Sequence, residues 1–164
     1  MIRTLHRSTG LILALFILSH LAVHLTALAG ADAHLAALAL VQNVYRNRII
    51  EPVLIAAILT QIVAGLTLGI RGWRGSKGDR WARLQLWSGL ILAIFLLNHT
   101  GAALYTRYGA GLETNFWWAS GTLTHEMARY WFYPYYALGV MAVFAHAAVA
   151  VRYRFDSGLK ARLI

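Results

Sequence analysis

Residues 10–20 read GLILALFILSH, and residues 89–99 read GLILAIFLLNH. The two runs share a glycine at the start, a closely similar apolar sequence and a histidine at the end. Each lies in a longer apolar stretch of roughly 20 residues, the length an α-helix needs to cross a hydrocarbon core about 30 Å thick. The pattern therefore predicts two membrane-spanning helices that each carry an ionisable ring at the same depth.

The composition is that of an integral membrane protein. Of the 164 residues, 59% are hydrophobic and 13% are charged, whereas charged residues make up about 25% of a typical soluble domain. Four apolar segments are long enough to span a bilayer: about 10–28, 52–70, 86–104 and 135–151. We therefore predict an all-α fold, an integral membrane four-helix bundle that forms a single transmembrane domain over residues 1–164.

The spacing of the two matching runs predicts how the bundle is built. His99 follows His20 by 79 residues, which is two spans further along the chain, so both helices point in the same direction. This arrangement predicts a tandem repeat of two helix pairs.

The distribution of basic residues predicts the orientation. Eleven of the 15 Lys and Arg residues lie on the side of the chain termini and the 71–85 loop, namely Arg3, Arg7, Arg71, Arg74, Lys77, Arg80, Arg83, Arg152, Arg154, Lys160 and Arg162. The other four are Arg46, Arg48, Arg107 and Arg129. The positive-inside rule then predicts cytoplasmic N- and C-termini in a bacterial-type inner membrane. Most of the net charge of +9 thus serves topology and attraction to anionic lipid headgroups, not nucleic-acid binding.

The two connections on the opposite side carry predicted structure of their own. Residues 31–50 contain a short apolar stretch that predicts an interfacial helix, broken near Arg46–Arg48 before Glu51-Pro52 opens the second span. The 108–134 loop predicts a short lid-like helix around 123–129 and carries an aromatic cluster suited to the membrane interface. A cleavable signal peptide over the first run is less favoured, because that run is long and contains histidines.

The chain has no cysteine, which excludes disulfides, thiolate-bound iron–sulfur clusters and covalently attached c-type haem. Any metal centre in this chain must therefore depend on its seven histidines. We expect His34 and His125 in solvated loops and His6 at the inner membrane boundary. The remaining histidines lie inside the predicted spans: His20, His24, His99 and His146.

The histidines inside the spans predict a haem site. An ionisable side chain within a bilayer is costly and usually faces the bundle interior. His20 and His99 each follow their glycine by a rise of about 15 Å, so we expect their rings at one level, clamping a haem iron from both faces. Small residues nearby, among them Gly89, Ala93 and Gly101, would make room for the porphyrin.

The other polar side chains in the spans leave more than one role open. His146 is a candidate ligand of a second, deeper haem, and Gln61 is its expected counterpart, although an amide is a poor iron ligand. His24 lies one helical turn beyond His20. It is an alternative ligand, a propionate or quinone contact, or a hydrogen-bonding link between helices.

These residues resemble a known family. Residues 3–24, RTLHRSTGLILALFILSHLAVH, resemble the first helix of the di-haem, type B cytochrome b membrane anchor of succinate dehydrogenase and fumarate reductase. Residues 83–102, RLQLWSGLILAIFLLNHTGA, resemble a later helix of that family, and residues 136–151, YALGVMAVFAHAAVAV, its helix with the fourth ligand. Glu51, Gln61 and Gly65 stand at the steps where its second ligand helix has Glu, His and Gly. The resemblance covers about residues 1–153.

The resemblance implies a non-catalytic cytochrome subunit that carries haem b and relays electrons between quinone and flavoprotein and iron–sulfur subunits on the cytoplasmic face. It implies that His20 and His99 hold the haem nearer the outer side, and that His146 holds the inner one. Gln61 replaces one ligand of that inner haem, and the family's usual fifth helix is missing, so the chain is expected as a shortened, free-standing relative. The expected quinone contacts are His6, Arg7 and Ser8 at the inner boundary, or Glu51 and His24 on the outer side.

Two other classes of function stay open at this stage. The intramembrane histidines would bind copper, zinc or non-haem iron directly, although few carboxylates lie inside to complete such a site. A haem-free membrane anchor or small transporter would use the same histidines as helix cross-links or as a proton relay. The sequence leaves open whether the chain holds one haem or two, and whether it forms a homo-oligomer.

Overall fold

The computed structural model describes residues 1–73 and 79–155. This part of the chain forms six α-helices with two short irregular turns: α1 (Ile2–Leu25), a 3-10 turn (Thr26–Ala29), α2 (Ala31–Tyr45), α3 (Ile50–Gly72), α4 (Arg80–Leu104), a π-helical turn (Tyr105–Gly109), α5 (Phe116–Thr124) and α6 (Arg129–Phe155). Arg74, Lys77, Lys160 and Arg162, which entered the charge argument, lie outside the described residues.

Four of these helices are long and apolar enough to cross a membrane, which confirms the predicted number of spans. They are α1 with its 3-10 turn, α3, α4 with its π-helical turn, and α6. They extend past the predicted bounds, mostly at charged ends: α1 begins at Ile2 rather than near Gly10, and α6 begins at Arg129 rather than Tyr135. Hydropathy detects the apolar part of a helix, whereas Arg residues favour helix and extend it beyond that part.

The connections at one end of the bundle are helical. The predicted interfacial helix is confirmed as α2, which ends at Tyr45 just before the expected break. The predicted helix around 123–129 is wrong, because the chain turns over residues 125–128 and the helix in this loop is α5. The side chain of Asn115 accepts hydrogen bonds from the backbone N–H groups of Trp117 and Trp118 and so fixes the start of α5.

The helices pack as two pairs. α1 has an extensive interface with α3, and α4 has one with α6, while the seam between α3 and α4 is smaller. Leu13, Ala57 and Ile58 form a buried cluster between α1 and α3. Among the described residues, α1 shares no comparable backbone interface with α4 or α6. Side chains therefore meet across the space between α1 and the second pair, among them two pairs of histidines and Leu96.

Candidate functional site

The first polar group in the bundle is the His20 layer, which we define as His20, His24 and His99. The ring centroids of His20 on α1 and His99 on α4 lie 5.9 Å apart, with an angle of 68° between the ring planes. Nε2 of His24 lies 3.2 Å from Nε2 of His20, so one ring donates a hydrogen bond to the other. The structure thus brings together the two rings that the repeated runs predicted at one level.

A phenylalanine one turn earlier supports each of the two facing rings. Phe16 stacks on His20 with centroids 5.8 Å apart, and Phe95 stacks on His99 at 5.2 Å with a 10° interplanar angle. Phe95 is itself wedged against α6, since a Cβ atom built on Gly139 would lie 2.4 Å from its Cε2. The orientation of the His99 ring therefore depends on a glycine of the neighbouring helix.

The expectation of a solvated loop position is wrong for His34. This residue lies in α2 with only 3% of its surface exposed, and its Nδ1 donates a hydrogen bond to the carbonyl of Val23 at 3.0 Å. Its ring centroid lies 5.5 Å from that of His24. The reason is the turn at Gly30, whose φ of +110° folds α2 back onto the end of α1. His125 is exposed, as expected.

The second polar group is the His6 layer, which we define as His6, Gln61, Gln85 and His146. The ring centroids of His6 on α1 and His146 on α6 lie 6.5 Å apart, with an interplanar angle of 76°. Cε1 of His6 would lie 3.1 Å from a Cβ atom on Gly65. Cε1 of His146 would lie at the same distance from one on Gly89. Gly89 therefore makes room for His146, not for a group in the His20 layer as the sequence suggested.

Glutamine amides hold both rings of the His6 layer. The side-chain amide of Gln61 lies 3.3 Å from Nε2 of His6, and that of Gln85 lies 2.9 Å from Nε2 of His146. Gln61 also accepts a hydrogen bond from the hydroxyl of Thr9 at 2.5 Å. Gln61, which the sequence predicted to lie opposite His146, is therefore bonded to His6 instead.

The two helix pairs repeat the same contacts with different side chains. A residue of α1 and the residue 79 positions later in α4 correspond: His6 to Gln85, Thr9 to Ser88, and Gly10 to Gly89. In the first pair, these α1 residues surround Gln61 of α3. In the second, their counterparts surround His146 of α6. The contacts of Gln85 and Ser88 escaped the sequence reasoning, although the 79-residue offset would have found them.

The remaining expected quinone contacts lie apart from one another. Arg7 and Ser8 are exposed on α1, next to His6. Glu51 lies at the start of α3, near the end of the bundle that carries α2 and α5. Its carboxylate accepts hydrogen bonds from Arg107 at 2.5 Å and from the hydroxyl of Tyr108 at 2.8 Å. In this structure Glu51 thus links α3 to the π-helical turn.

The donor set and its spacing fit a metal held between two rings. Two imidazole nitrogens that bind one metal ion from opposite sides hold their ring centroids roughly 6 Å apart, because each metal–nitrogen bond is about 2 Å long. The separation of 5.9 Å in the His20 layer matches this value. In the His6 layer, both ring nitrogens of His146 already bond to Gln85 and Ser88, so none is left for a metal. Imidazole is also a common axial ligand of haem iron. The two facing imidazoles of the His20 layer therefore fit a haem.

No protein-family model, curated protein or solved structure matches this chain. The functional argument therefore rests on the geometry and chemistry of the two layers.

Proposed function

We propose that this chain is a membrane b-type cytochrome, in which one haem b is held between His20 and His99. The observation that carries the proposal is the 5.9 Å separation of these two ring centroids across the space between α1 and α4. Both rings are partly buried within helices long enough to cross a membrane. Placing ionisable side chains within a membrane costs free energy, so such residues usually mark a functional site.

The proposal assigns each side chain of the His20 layer a role. His20 and His99 would hold the haem iron through their imidazoles, while Phe16 and Phe95 hold the planes of these rings. A bound haem supplies a one-electron carrier. With two protein imidazoles as iron ligands, the site would be suited to electron transfer rather than to oxygen binding. The partners would be the quinone pool and a second protein, so the chain serves as a non-catalytic subunit.

We further propose that the two helix pairs are a tandem repeat with both termini in the cytoplasm. The matching contacts around Gln61 and His146 support the repeat. The basic residues that flank the spans support the orientation, because more of them lie at the end of the bundle with the chain termini. A bacterial-type inner membrane, with flavoprotein and iron–sulfur partners on this basic face, follows from the orientation and the family resemblance together.

The proposal is tested by optical spectra of the protein purified in detergent. We expect sharp α-bands of a b-type cytochrome on reduction, and loss of the haem that the His20 layer holds in His20→Ala and in His99→Ala. His125→Ala is the matched control, because that histidine is exposed. Colourless wild-type protein, or haem retained in full by both variants, would overturn the proposal. Stoichiometric copper, zinc or iron without haem would instead indicate direct metal binding.

One observation favours a second candidate, a haem-free proton relay. The rings of His34, His24, His20 and His99 follow one another from α2 into the bundle, with centroid separations of 5.5, 4.6 and 5.9 Å. Histidine chains of this kind carry protons in membrane proteins. This candidate predicts colourless protein and a proton flux in liposomes that His24→Ala abolishes.

A further inference from the structure

We propose that Arg80, Trp81 and Arg152 bind the headgroup of an anionic phospholipid, whose acyl chain lies along the apolar surface of α6 beside them. These three residues are called the Trp81 site below. It lies at the end of the bundle where α4 begins at Arg80 and α6 ends at Phe155. The inference goes beyond the proposed function, because the Trp81 site is separate from both histidine layers and needs no haem.

The first argument is the placement of two positive charges on one indole ring. The Cζ atom of Arg152 lies 4.6 Å from the centroid of the Trp81 ring, and that of Arg80 lies 5.2 Å from it. Both distances are those of cation–π contacts. Arg152 reaches Trp81 across the interface between α6 and α4. The two guanidinium groups therefore lie within about one Debye length of each other, roughly 10 Å at 0.1 M salt, and their charges repel.

The second argument is the shortage of negative charge at this end of the bundle. Within residues 1–73 and 79–155, the one acidic residue at this end is Asp79. Its carboxylate accepts a hydrogen bond from the backbone N–H of Trp81 at 2.8 Å and so caps α4. The described arginines at the same end are Arg3, Arg7, Arg71, Arg80, Arg83, Arg152 and Arg154. A bound anion would therefore relieve the repulsion between the two guanidinium groups of the Trp81 site.

The third argument is the apolar surface that continues from Arg152 along α6. Ala148, Val151 and Phe155 line an open groove together with Arg152, and their spacing of three or four residues places them on one face of the helix. All four residues are exposed. Ala148 and Val151 precede Arg152 and so lie deeper in the span than the guanidinium group. A ligand that contacts both Arg152 and Ala148 must therefore combine an anionic group with an apolar tail.

This combination favours a lipid over a soluble acidic protein. An acidic protein surface could contact the exposed guanidinium groups, but it could not enter the hydrocarbon core to cover Ala148 and Val151. Guanidinium groups bind phosphate oxygens through pairs of parallel hydrogen bonds. Anionic lipids are concentrated in the cytoplasmic leaflet, and basic pockets between spanning helices on that side bind their headgroups. The Trp81 site is thus a defined position, in contrast to the diffuse attraction of all basic residues to that leaflet.

The test is native mass spectrometry of the purified full-length chain in detergent, titrated with phosphatidylglycerol or with phosphatidylcholine. We expect the wild type to retain phosphatidylglycerol preferentially. The double variant Arg80→Gln/Arg152→Gln should bind it about 100-fold more weakly, because it removes hydrogen bonds to a charged group. A wild type that retains both lipids equally would overturn the inference.

The matched control is Arg83→Gln/Arg154→Gln, which removes the same charge from the same two helices. Both of its arginines are exposed, and Arg154 lies on another face of α6 from Arg152, since two residues turn a helix by about 200°. The control should lose about fivefold or less in affinity. Equal losses in the two double variants would indicate diffuse attraction only and overturn the inference.

Competition with soluble anions separates a lipid from the other possible ligands. Glycerol phosphate carries the anionic group without an acyl chain, and poly-glutamate represents an acidic protein surface. We expect neither to displace bound phosphatidylglycerol. Displacement by glycerol phosphate would indicate a plain anion site, and displacement by poly-glutamate a protein-docking surface; either result would overturn the inference. The optical spectrum of Arg80→Gln/Arg152→Gln should equal that of the wild type, so the lipid site and the proposed haem site are tested separately.

Discussion

Gly139 of α6 lies directly against the ring of Phe95 of α4, and a Cβ atom on that glycine would lie 2.4 Å from the Cε2 atom of the ring. Phe95 in turn stacks on His99. Gly139 therefore controls the position of the His99 ring through Phe95, without contacting His99 itself. A methyl group at this point must displace the aromatic ring or separate the helices.

We predict that Gly139→Ala destabilises the protein by about 1–3 kcal/mol, the usual cost of overpacking a filled interior. Because the displaced ring is Phe95, the variant should also lower the haem content of the His20 layer. Thermal unfolding and the reduced optical spectrum measure the two effects. Gly72→Ala is the matched control, since a Cβ atom there meets no atom within 4 Å. Equal behaviour of the two variants would contradict this prediction.

A second prediction concerns the ion pair between Glu51 and Arg107. Their side chains are only 13% and 17% exposed, so Glu51→Gln leaves a guanidinium without its charge partner. We expect a loss of about 1.5–3 kcal/mol, typical of hydrogen bonds to charged groups, measured by thermal unfolding in detergent.

The chain offers a matched comparison for this ion pair. Arg46 pairs with Glu113, whose side chain is 77% exposed, so Glu113→Gln should cost under about 1 kcal/mol. If the two substitutions proved equally costly, burial would not be the reason for the strength of the Glu51–Arg107 pair.

A third prediction concerns the turn between α1 and α2. Gly30 has a φ of +110° and a ψ of 169°, a conformation nearly restricted to glycine that costs an L side chain roughly 1–3 kcal/mol. Gly30→Ala should therefore lower the unfolding temperature and loosen the burial of His34. Gly121→Ala, in α5 with open space around it, should be neutral or slightly stabilising. Hydrogen exchange at α2 measures the local effect, and unchanged exchange in Gly30→Ala would speak against it.

A fourth prediction concerns the proton on His146. Its Nε2 accepts from Gln85, so its Nδ1 carries the proton and donates to the hydroxyl of Ser88 at 3.2 Å. Ser88→Ala leaves this buried N–H without an acceptor, which we expect to cost about 1–3 kcal/mol. Ser88→Thr retains the hydroxyl and should recover most of the stability. Thermal unfolding in detergent measures both variants, and a Ser88→Ala variant as stable as the wild type would argue against this assignment of the proton.

The two repeated runs were enough to predict the meeting of His20 and His99, because equal spacing from matching glycines fixes depth and direction. They could not predict which polar side chains meet between the two helix pairs, since the apolar faces of such helices are interchangeable. His146 was therefore expected opposite Gln61, whereas the structure places it near His6. His34 was misassigned for a related reason: its burial depends on the turn at Gly30, and backbone direction is not readable from hydropathy. The haem role of all these residues stays a prediction.

The unequal helix interfaces also bear on how such a protein is made. Two interfaces are broad and involve only two helices each, α1 with α3 and α4 with α6. Each pair can therefore pack as soon as its second helix enters the bilayer. The edge where α1 faces the second pair, with His20 opposite His99, would then be the last to close. A haem bound there would link the two helix pairs after each has packed. Assembly of the protein would then end with haem insertion rather than begin with it.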